Sequence, residues 1–267
     1  MTTKTTLKLA LLQIDIAFGD PEANRAKARA WIEQAAQQGA DVIVLPEMWT
    51  TAYSLENIRD IADRDGAETI ALCNELAKTY HVNIHAGSVA NLRGDDVYNT
   101  TYLFNREGEV VGDYSKIHLF RLMDEEKYLL GGDKVGRFQL DGVEVGTMIC
   151  YDLRFPELAR TLSLDGAQVL FLPAEWPHPR LNHWRHLQIA RAIENQMFVV
   201  SCNRVGRAGE TEFFGHSMVI DPWGEVVFEA DETEGLHLVE IDLGIVPEIR
   251  SRIPIFEDRR PDLYTKR

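Results

Sequence analysis

The sequence predicts an α/β protein with two β-sheets facing each other and helices on their outer sides, folded as one domain over residues 1–267. Three observations carry that expectation. Strand and helix patterns alternate along the chain, hairpins interrupt the alternation, and several strands are apolar on nearly every residue, as strands covered on both faces are. No internal repeat, low-complexity tract or linker divides the chain.

In order, Leu7–Ile16 reads as a buried strand. Asp20-Pro21-Glu22 then supplies an N-cap, a proline at the first helical position and an acid in the first turn. The helix that follows carries Ala28, Trp31, Ile32 and Ala35 and stops at Gly39. Asp41–Pro46 is a second buried strand, running into Glu47. Residues 67–80 form an amphipathic helix with Ile70, Cys73, Ala77 and Tyr80 on one stripe, so Cys73 reads as core. Val82–Val89 reads as one strand, and Tyr98–Phe104 with Glu109–Tyr114 as a hairpin. Residues 117–134 are loop-rich, 135–149 hold two strands joined at Asp141-Gly142, and 156–165 is a helix. Gln168–Leu172 is a strand. Leu181–Gln196 is a helix whose Trp184, Leu187, Ile189 and Ile193 spread around its circumference and suggest burial between layers. Met197–Cys202, Ser217–Ile220, Glu225–Phe228 and Leu236–Ile241 are further strands, and 242–267 is a short helix with a polar tail.

Composition narrows the function. An apolar fraction of 45% suits an ordinary globular core. Lys and Arg number 28 against 42 Asp and Glu, a net charge of −14 that argues against nucleic acid or an anionic membrane as partner. Three widely spaced cysteines, Cys73, Cys150 and Cys202, form neither a disulfide framework nor a zinc spacing, which points to a reducing compartment. Residues Met1–Leu9 lack the apolar core of a signal peptide, and no run reaches membrane-spanning length. A soluble, cytoplasmic protein is expected.

The stretch Gly146–Glu157 carries the chemistry. A strand ends at Cys150, a tight turn follows, and Pro156-Glu157 opens a helix. A thiol placed there lies near backbone N–H groups and the positive end of a helix, which favour a thiolate. A lone cysteine in such a run is also compatible with inert burial. Glu47 and Lys116 likewise follow strand ends, where sites of α/β sheets collect. Acyl transfer needs a nucleophile, a base and donors for the oxyanion. Cys150, Glu47, Lys116 and the Tyr151 N–H would supply them. Taken singly, Glu47 reads as a cap and Lys116 as a surface lysine.

Three segments decide between these readings: Leu45-Pro46-Glu47, Tyr114–Phe120 (YSKIHLF) and Cys150–Glu157 (CYDLRFPE). Together, in this order, they resemble the signatures of the nitrilase (carbon–nitrogen hydrolase) superfamily, over essentially the whole chain. The resemblance implies a four-layer α-β-β-α sandwich and a Glu–Lys–Cys triad that needs no metal or cofactor. It makes Glu47 the general base, Lys116 the oxyanion stabiliser and Cys150 the nucleophile of a thioester intermediate. A second glutamate of the family matches Glu125, ahead of Gly132-Asp133, with Glu126 as its competitor. Relatives of this kind are generally homodimers.

Within the superfamily, Cys150-Tyr151-Asp152 departs from the Cys-Trp-Glu of true nitrilases and from the Cys-Asn-Asp-Arg of N-carbamoyl amidohydrolases. The chain is more similar to the ω-amidase branch, on Trp176–Arg180 with His183-Trp184, Ala190–Gln196, Cys202–Gly206 and Arg259–Tyr264. That branch implies small 2-oxo acid ω-amides as substrates. Arg154, four residues after the thiol, suits a substrate carboxylate. It is equally compatible with a structural ion pair, and Arg121 and Arg180 are weaker candidates. Tyr53 and Trp176 would wall the acyl pocket, with His183 packed beside Trp184 and Leu187. His183 and His186 also raise a protease-like Cys–His pair, whereas His118 and His216 read as structural hydrogen bonders. Glu175, where relatives commonly carry a small polar residue, would set a carboxylate against an anionic substrate. The other readings of the chain are an amidase or carbamoylase of another small amide, and a non-catalytic binding protein of the same fold.

Overall fold

The structure is a computed structural model that describes residues 5–264; the N-terminal reading over residues 1–4 and the end of the tail at 265–267 lie outside it. Four layers are present. One sheet has eight strands, in the spatial order Gly235–Asp242, Thr6–Gln13, Val42–Val44, Asn83–His85, Asp96–Phe104, Val89–Arg93, Asp63–Arg64, with Val110–Ser115 also pairing with Asp96–Phe104. The other has six, Val226–Glu229, Met218–Ile220, Phe198–Asn203, Val169–Ala174, Val143–Thr147 and Gly136–Leu140.

Strand parity explains the layering. Leu7, Leu9 and Leu11 of the first strand join Val42, Val44, Val145, Phe171 and Val200 in the core between the sheets. The alternate residues, Ala10, Leu12 and Ile43, face Ala28 and Ile32 of helix Pro21–Gln37 and Leu76 of helix Ala67–Tyr80. Against the second sheet, Leu170, Leu172 and Val199 meet Leu158 and Leu162 of helix Pro156–Leu164 and Trp184 of helix Leu181–Asn195. Period-2 alternation therefore serves two apolar layers at once, which is why these strands read as unbroken apolar runs. The Asp20 side chain accepts from the Ala23 N–H at 3.0 Å and caps the first helix.

Four expectations need correction. Val82–Val89 is two strands, Asn83–His85 and Val89–Arg93, broken at Gly87, whose φ is +56°. A Cβ there would lie 2.0 Å from the Pro46 carbonyl oxygen, so only glycine lets the chain pass over the segment that presents Glu47. Helix Leu181–Asn195 lies outside the second sheet, not between layers. It buries polar Gln188, Arg191 and Asn195 with Trp184 and leaves Ile193 half exposed. The loop-rich segment 117–134 contains the short helix Glu125–Tyr128, and Val205–Ala208 pairs with Thr211–Phe214 in a hairpin that hydrophobic patterning did not signal. The C-terminal segment forms two helices, Ile245–Arg252 and Pro261–Tyr264.

Candidate active site

Glu47, Lys116 and Cys150 follow the carboxyl ends of Val42–Val44, Val110–Ser115 and Val143–Thr147, and the fold brings these ends together. The Lys116 ammonium, fully buried, donates to Glu47 Oε1 at 2.9 Å, to Glu125 Oε1 at 2.7 Å and to the Tyr53 hydroxyl at 3.2 Å. Asn99 Nδ2 donates to the same Glu47 oxygen at 2.8 Å, while the other, Oε2, accepts from the Glu175 N–H at 2.7 Å. Glu125 Oε2 accepts from the Phe120 N–H at 3.0 Å, whereas neighbouring Glu126 is exposed. The Tyr53 hydroxyl lies 2.7 Å from Oε1 of both Glu47 and Glu125. Tyr53 thus bridges the two carboxylates as well as lining the pocket, a role the sequence did not suggest.

The cluster is held by strained and crowded backbone. Met48, Ala52 and Cys150, each next to or within the site, have φ of 45°, 50° and 46°. Non-glycine residues in that region are costly, and they persist where the surrounding structure over-determines them. Gly132 donates its N–H to the Lys116 carbonyl at 2.8 Å, and a Cβ on it would fall 2.2 Å from the Ser115 carbonyl oxygen. The loop can close over the lysine only with glycine at that point.

Burial and charge set the protonation states. For Glu47, burial acts upward, but the Lys116 cation and the hydrogen bonds from Lys116, Tyr53 and the Glu175 N–H prevail and hold it below the ordinary carboxylate range. For Lys116, burial acts downward and the carboxylates of Glu125 and Glu47 overcome it, so the ammonium persists well above its usual range. Burial pushes the Cys150 thiol well up, Glu47 and Glu125 add to this, and Lys116 opposes it. The resting site is therefore a neutral thiol beside an ionised carboxylate. Such an arrangement is suited to passing a proton from thiol to carboxylate during a nucleophilic attack and not to storing a free thiolate.

A narrow pocket opens onto Cys150, lined by Tyr53, Phe120, Tyr151, Arg154, Glu175, Trp176 and Arg180. Cys150 opens a 3₁₀ turn, Cys150–Arg154, so the Tyr151 N–H is among the first-turn donors that such a turn leaves free for a ligand. The Arg154 guanidinium stacks 4.8 Å from the Trp176 ring centroid and, among the described residues, has no carboxylate within ion-pair distance. Arg121 is exposed and does not line the pocket. His183 is exposed and is not packed into the pocket wall, because its helix turns Trp184 inward; its Nδ1 lies 3.3 Å from Arg154 Nη2. His186 is exposed and contacts the Asn182 carbonyl. His118 binds Asp152 at 2.7 Å, and His216 binds Glu229 at 2.7 Å. Cys73 is buried among helix side chains and pushed up to about 12.

The family model described as carbon–nitrogen hydrolase matches residues 8–251, nearly the whole chain. The protein belongs to the carbon–nitrogen hydrolase family. It is 50% identical over 256 residues to a 2-oxoglutaramate amidase of Bacillus subtilis, covering 96% of this chain and 98% of that one. It is 34% identical to human omega-amidase NIT2, with 97% of each chain covered. Its structure is similar to that of a carbon–nitrogen hydrolase from Helicobacter pylori, at a TM-score of 0.92 and 26% identity over 98% of this chain and 99% of that one.

In this carbon–nitrogen hydrolase several residues shape the site without having been singled out in the sequence. Buried Asp152 accepts from the Tyr114 hydroxyl at 2.6 Å, the Ile149 N–H at 3.0 Å and the His118 N–H at 3.0 Å. One carboxylate thereby ties the strand end bearing Lys116 to the turn bearing Cys150. From the helix Leu181–Asn195, Arg191 donates to the Leu153 carbonyl at 3.1 and 2.9 Å. Asn203 accepts from the Trp176 N–H at 2.7 Å and fixes the pocket wall. Their partners lie from 27 to 38 residues away except at Ile149, so no local motif announces them.

Proposed function

We propose that the protein is a cysteine-dependent amidase hydrolysing the terminal amide of small 2-oxo acid ω-amides, such as 2-oxoglutaramate, to the acid and ammonia. The observation that carries this reading is the convergence of Glu47, Lys116 and Glu125 on Cys150 in a pocket lined by Arg154, which among the described residues has no acidic partner. Near-full-length similarity to a 2-oxoglutaramate amidase supports the substrate class.

The substrate carboxylate pairs with Arg154, and its amide carbon lies against Cys150 Sγ. As the S–C bond forms, the thiol proton passes to Glu47, and the carbonyl oxygen becomes an oxyanion held by Lys116 and the Tyr151 N–H. Lys116 gives up its long contact to Tyr53 to reach it. Glu125 keeps the ammonium aligned with Glu47, while the Tyr53 hydroxyl bridges the two carboxylates. Collapse of the tetrahedral adduct breaks the C–N bond, and Glu47 returns its proton to the departing ammonia, leaving a thioester. Glu47 then takes a proton from water, which attacks the thioester carbon, and the thiol leaves reprotonated. Trp176 walls the acyl chain. His183 acts on the substrate only through Arg154.

Three free cysteines accord with work in a reducing cytoplasm, and no helix among the described residues is long and apolar enough to cross a membrane. We read the working form as a homodimer, to be checked by light scattering. Ammonia release tests the activity, with 2-oxoglutaramate, glutamine, an aliphatic amide, a nitrile and an N-carbamoyl acid compared for the native protein and Cys150→Ala. Turnover of the 2-oxo amide that vanishes in the variant is expected. Turnover confined to another substrate overturns the substrate class, and turnover by the variant overturns the nucleophile.

A further inference from the structure

Glu175 is a fully buried carboxyl in the wall of the substrate pocket, and its backbone is fixed on every side. Its N–H donates to Glu47 Oε2 at 2.7 Å, the preceding carbonyl of Ala174 accepts from the Arg204 N–H at 3.1 Å, and the following Trp176 N–H is held by Asn203. The two carboxyl oxygens differ. Oε2 accepts from Arg204 Nη1 at 3.3 Å, whereas Oε1 is buried and has no hydrogen-bond partner among the described residues. A buried polar atom left unmatched costs stability unless a ligand completes it.

We infer that Glu175 sets acyl-group specificity, its unpartnered Oε1 hydrogen-bonding an oxygen of the acyl chain bound in the pocket. The inference rests on the amidase reading above and names the residue that selects among amides.

The surrounding charge decides which hydrogen bond forms. The first sheet side presents Glu47, Lys116 and Tyr53 to Glu175, the second presents Arg204, and Cys150 and Arg154 line the same pocket. Arg204 is a shared cation, since its Nη2 donates to Asp15 at 2.9 Å and to the Ile16 carbonyl at 3.1 Å. Glu47, Glu125, Asp15 and Glu175 would thus set four carboxylates against Lys116 and Arg204. Burial pushes Glu175 up to about 8; Arg204 opposes this and Glu47 adds to it. Oε2 is occupied as an acceptor from Arg204, so the proton resides on Oε1, the oxygen without a partner. Glu175 is then a neutral donor and does not repel an anionic substrate.

The test compares wild type with Glu175→Leu and Glu175→Gln on 2-oxoglutaramate and on its analogue lacking the oxo oxygen. Loss of the donor in Glu175→Leu should cut kcat/KM on the oxo substrate about ten- to a hundredfold, with less than about threefold effect on the analogue. Glu175→Gln, which keeps an N–H donor, should recover most of the rate. Equal losses on both substrates, or no recovery in Glu175→Gln, overturn the inference. An independent readout needs no turnover: the infrared carbonyl band of a neutral buried acid should be present at neutral pH in wild type and absent in Glu175→Gln. Absence of that band in wild type also overturns it. Failure of wild type on 2-oxoglutaramate would instead overturn the substrate class, and the infrared comparison would still report on Glu175.

Discussion

In the proposed function, Arg154 is the residue on which substrate charge turns. Its guanidinium is stacked on Trp176 and has no ion-pair partner among the described residues, so its charge is available to a ligand. Arg154→Ala should raise KM for carboxylate-bearing amides about tenfold to a hundredfold, the value of a charge-assisted pair, and leave a neutral aliphatic amide nearly unaffected. Equal loss on both would reassign Arg154 to structure. The pH dependence follows from the site residues. Glu47 is held below its ordinary 4.5 and Lys116 above its ordinary 10.5, so neither limits activity between those values. Loss of affinity for an anionic amide near pH 8 then belongs to Glu175, whose ionisation adds a carboxylate to the pocket, and Glu175→Gln should remove it. Stability carries the same sign. Glu175 is raised from 4.5 to about 8, so between those values the unfolded chain releases a proton that the folded one keeps. Stability from this group is therefore complete below 4.5 and declines as pH rises to about 8, by about 1.4 kcal/mol per unit. Glu47 acts in reverse: its contribution is present above 4.5 and is lost as pH falls through its lowered value. Thermal melts of wild type and Glu175→Gln across this range check the first of these.

Between elements, Asp152 is the joint. It receives the Tyr114 hydroxyl, the Ile149 N–H and the His118 N–H, and so couples the lysine strand to the cysteine turn. Asp152→Ala strands the buried Tyr114 and Ile149 donors at about 1–3 kcal/mol each and releases half-buried His118, which should lower the melting temperature by several degrees or more. The kcat should fall with KM little changed, because the misalignment separates Lys116 from Cys150. A purely structural role would lower the melting temperature and leave kcat of the folded protein intact. The strand ends bearing Glu47 and Cys150 were legible because apolar runs finish there. The joint was not legible, since an acid two residues after a cysteine carries no sign of partners 34 and 38 residues upstream. The same limit applies to Tyr53. Its aromatic character marked a pocket wall, but only the approach of Glu47 and Glu125 makes its hydroxyl a bridge.

For the whole molecule, stability rests on the core between the sheets. Phe171 is fully buried there against residues of both sheets. Phe171→Ala should cost about 3–5 kcal/mol in denaturant unfolding, with kcat retained in the protein that remains folded. A loss below about 1 kcal/mol would show that the sheets repack without it. On the outer side of the second sheet, Ile193 is 50% and Trp223 43% exposed. Exposure of this kind fits a homodimer, which light scattering would reveal, and a monomer at working concentration would overturn that reading. By itself, the sequence determined the alternation of elements, the two apolar faces of the strands, and the order of Glu47, Lys116 and Cys150 at strand ends. These are properties of periodicity and of short motifs, which act within a few residues. The tertiary structure alone decided that the three ends converge, that Glu125 and not Glu126 joins them, and that Glu175 is enclosed beside Arg204 with one oxygen unmatched. Those outcomes depend on burial and on partners distant in the chain, and burial is what moves a carboxylate away from its ordinary protonation behaviour.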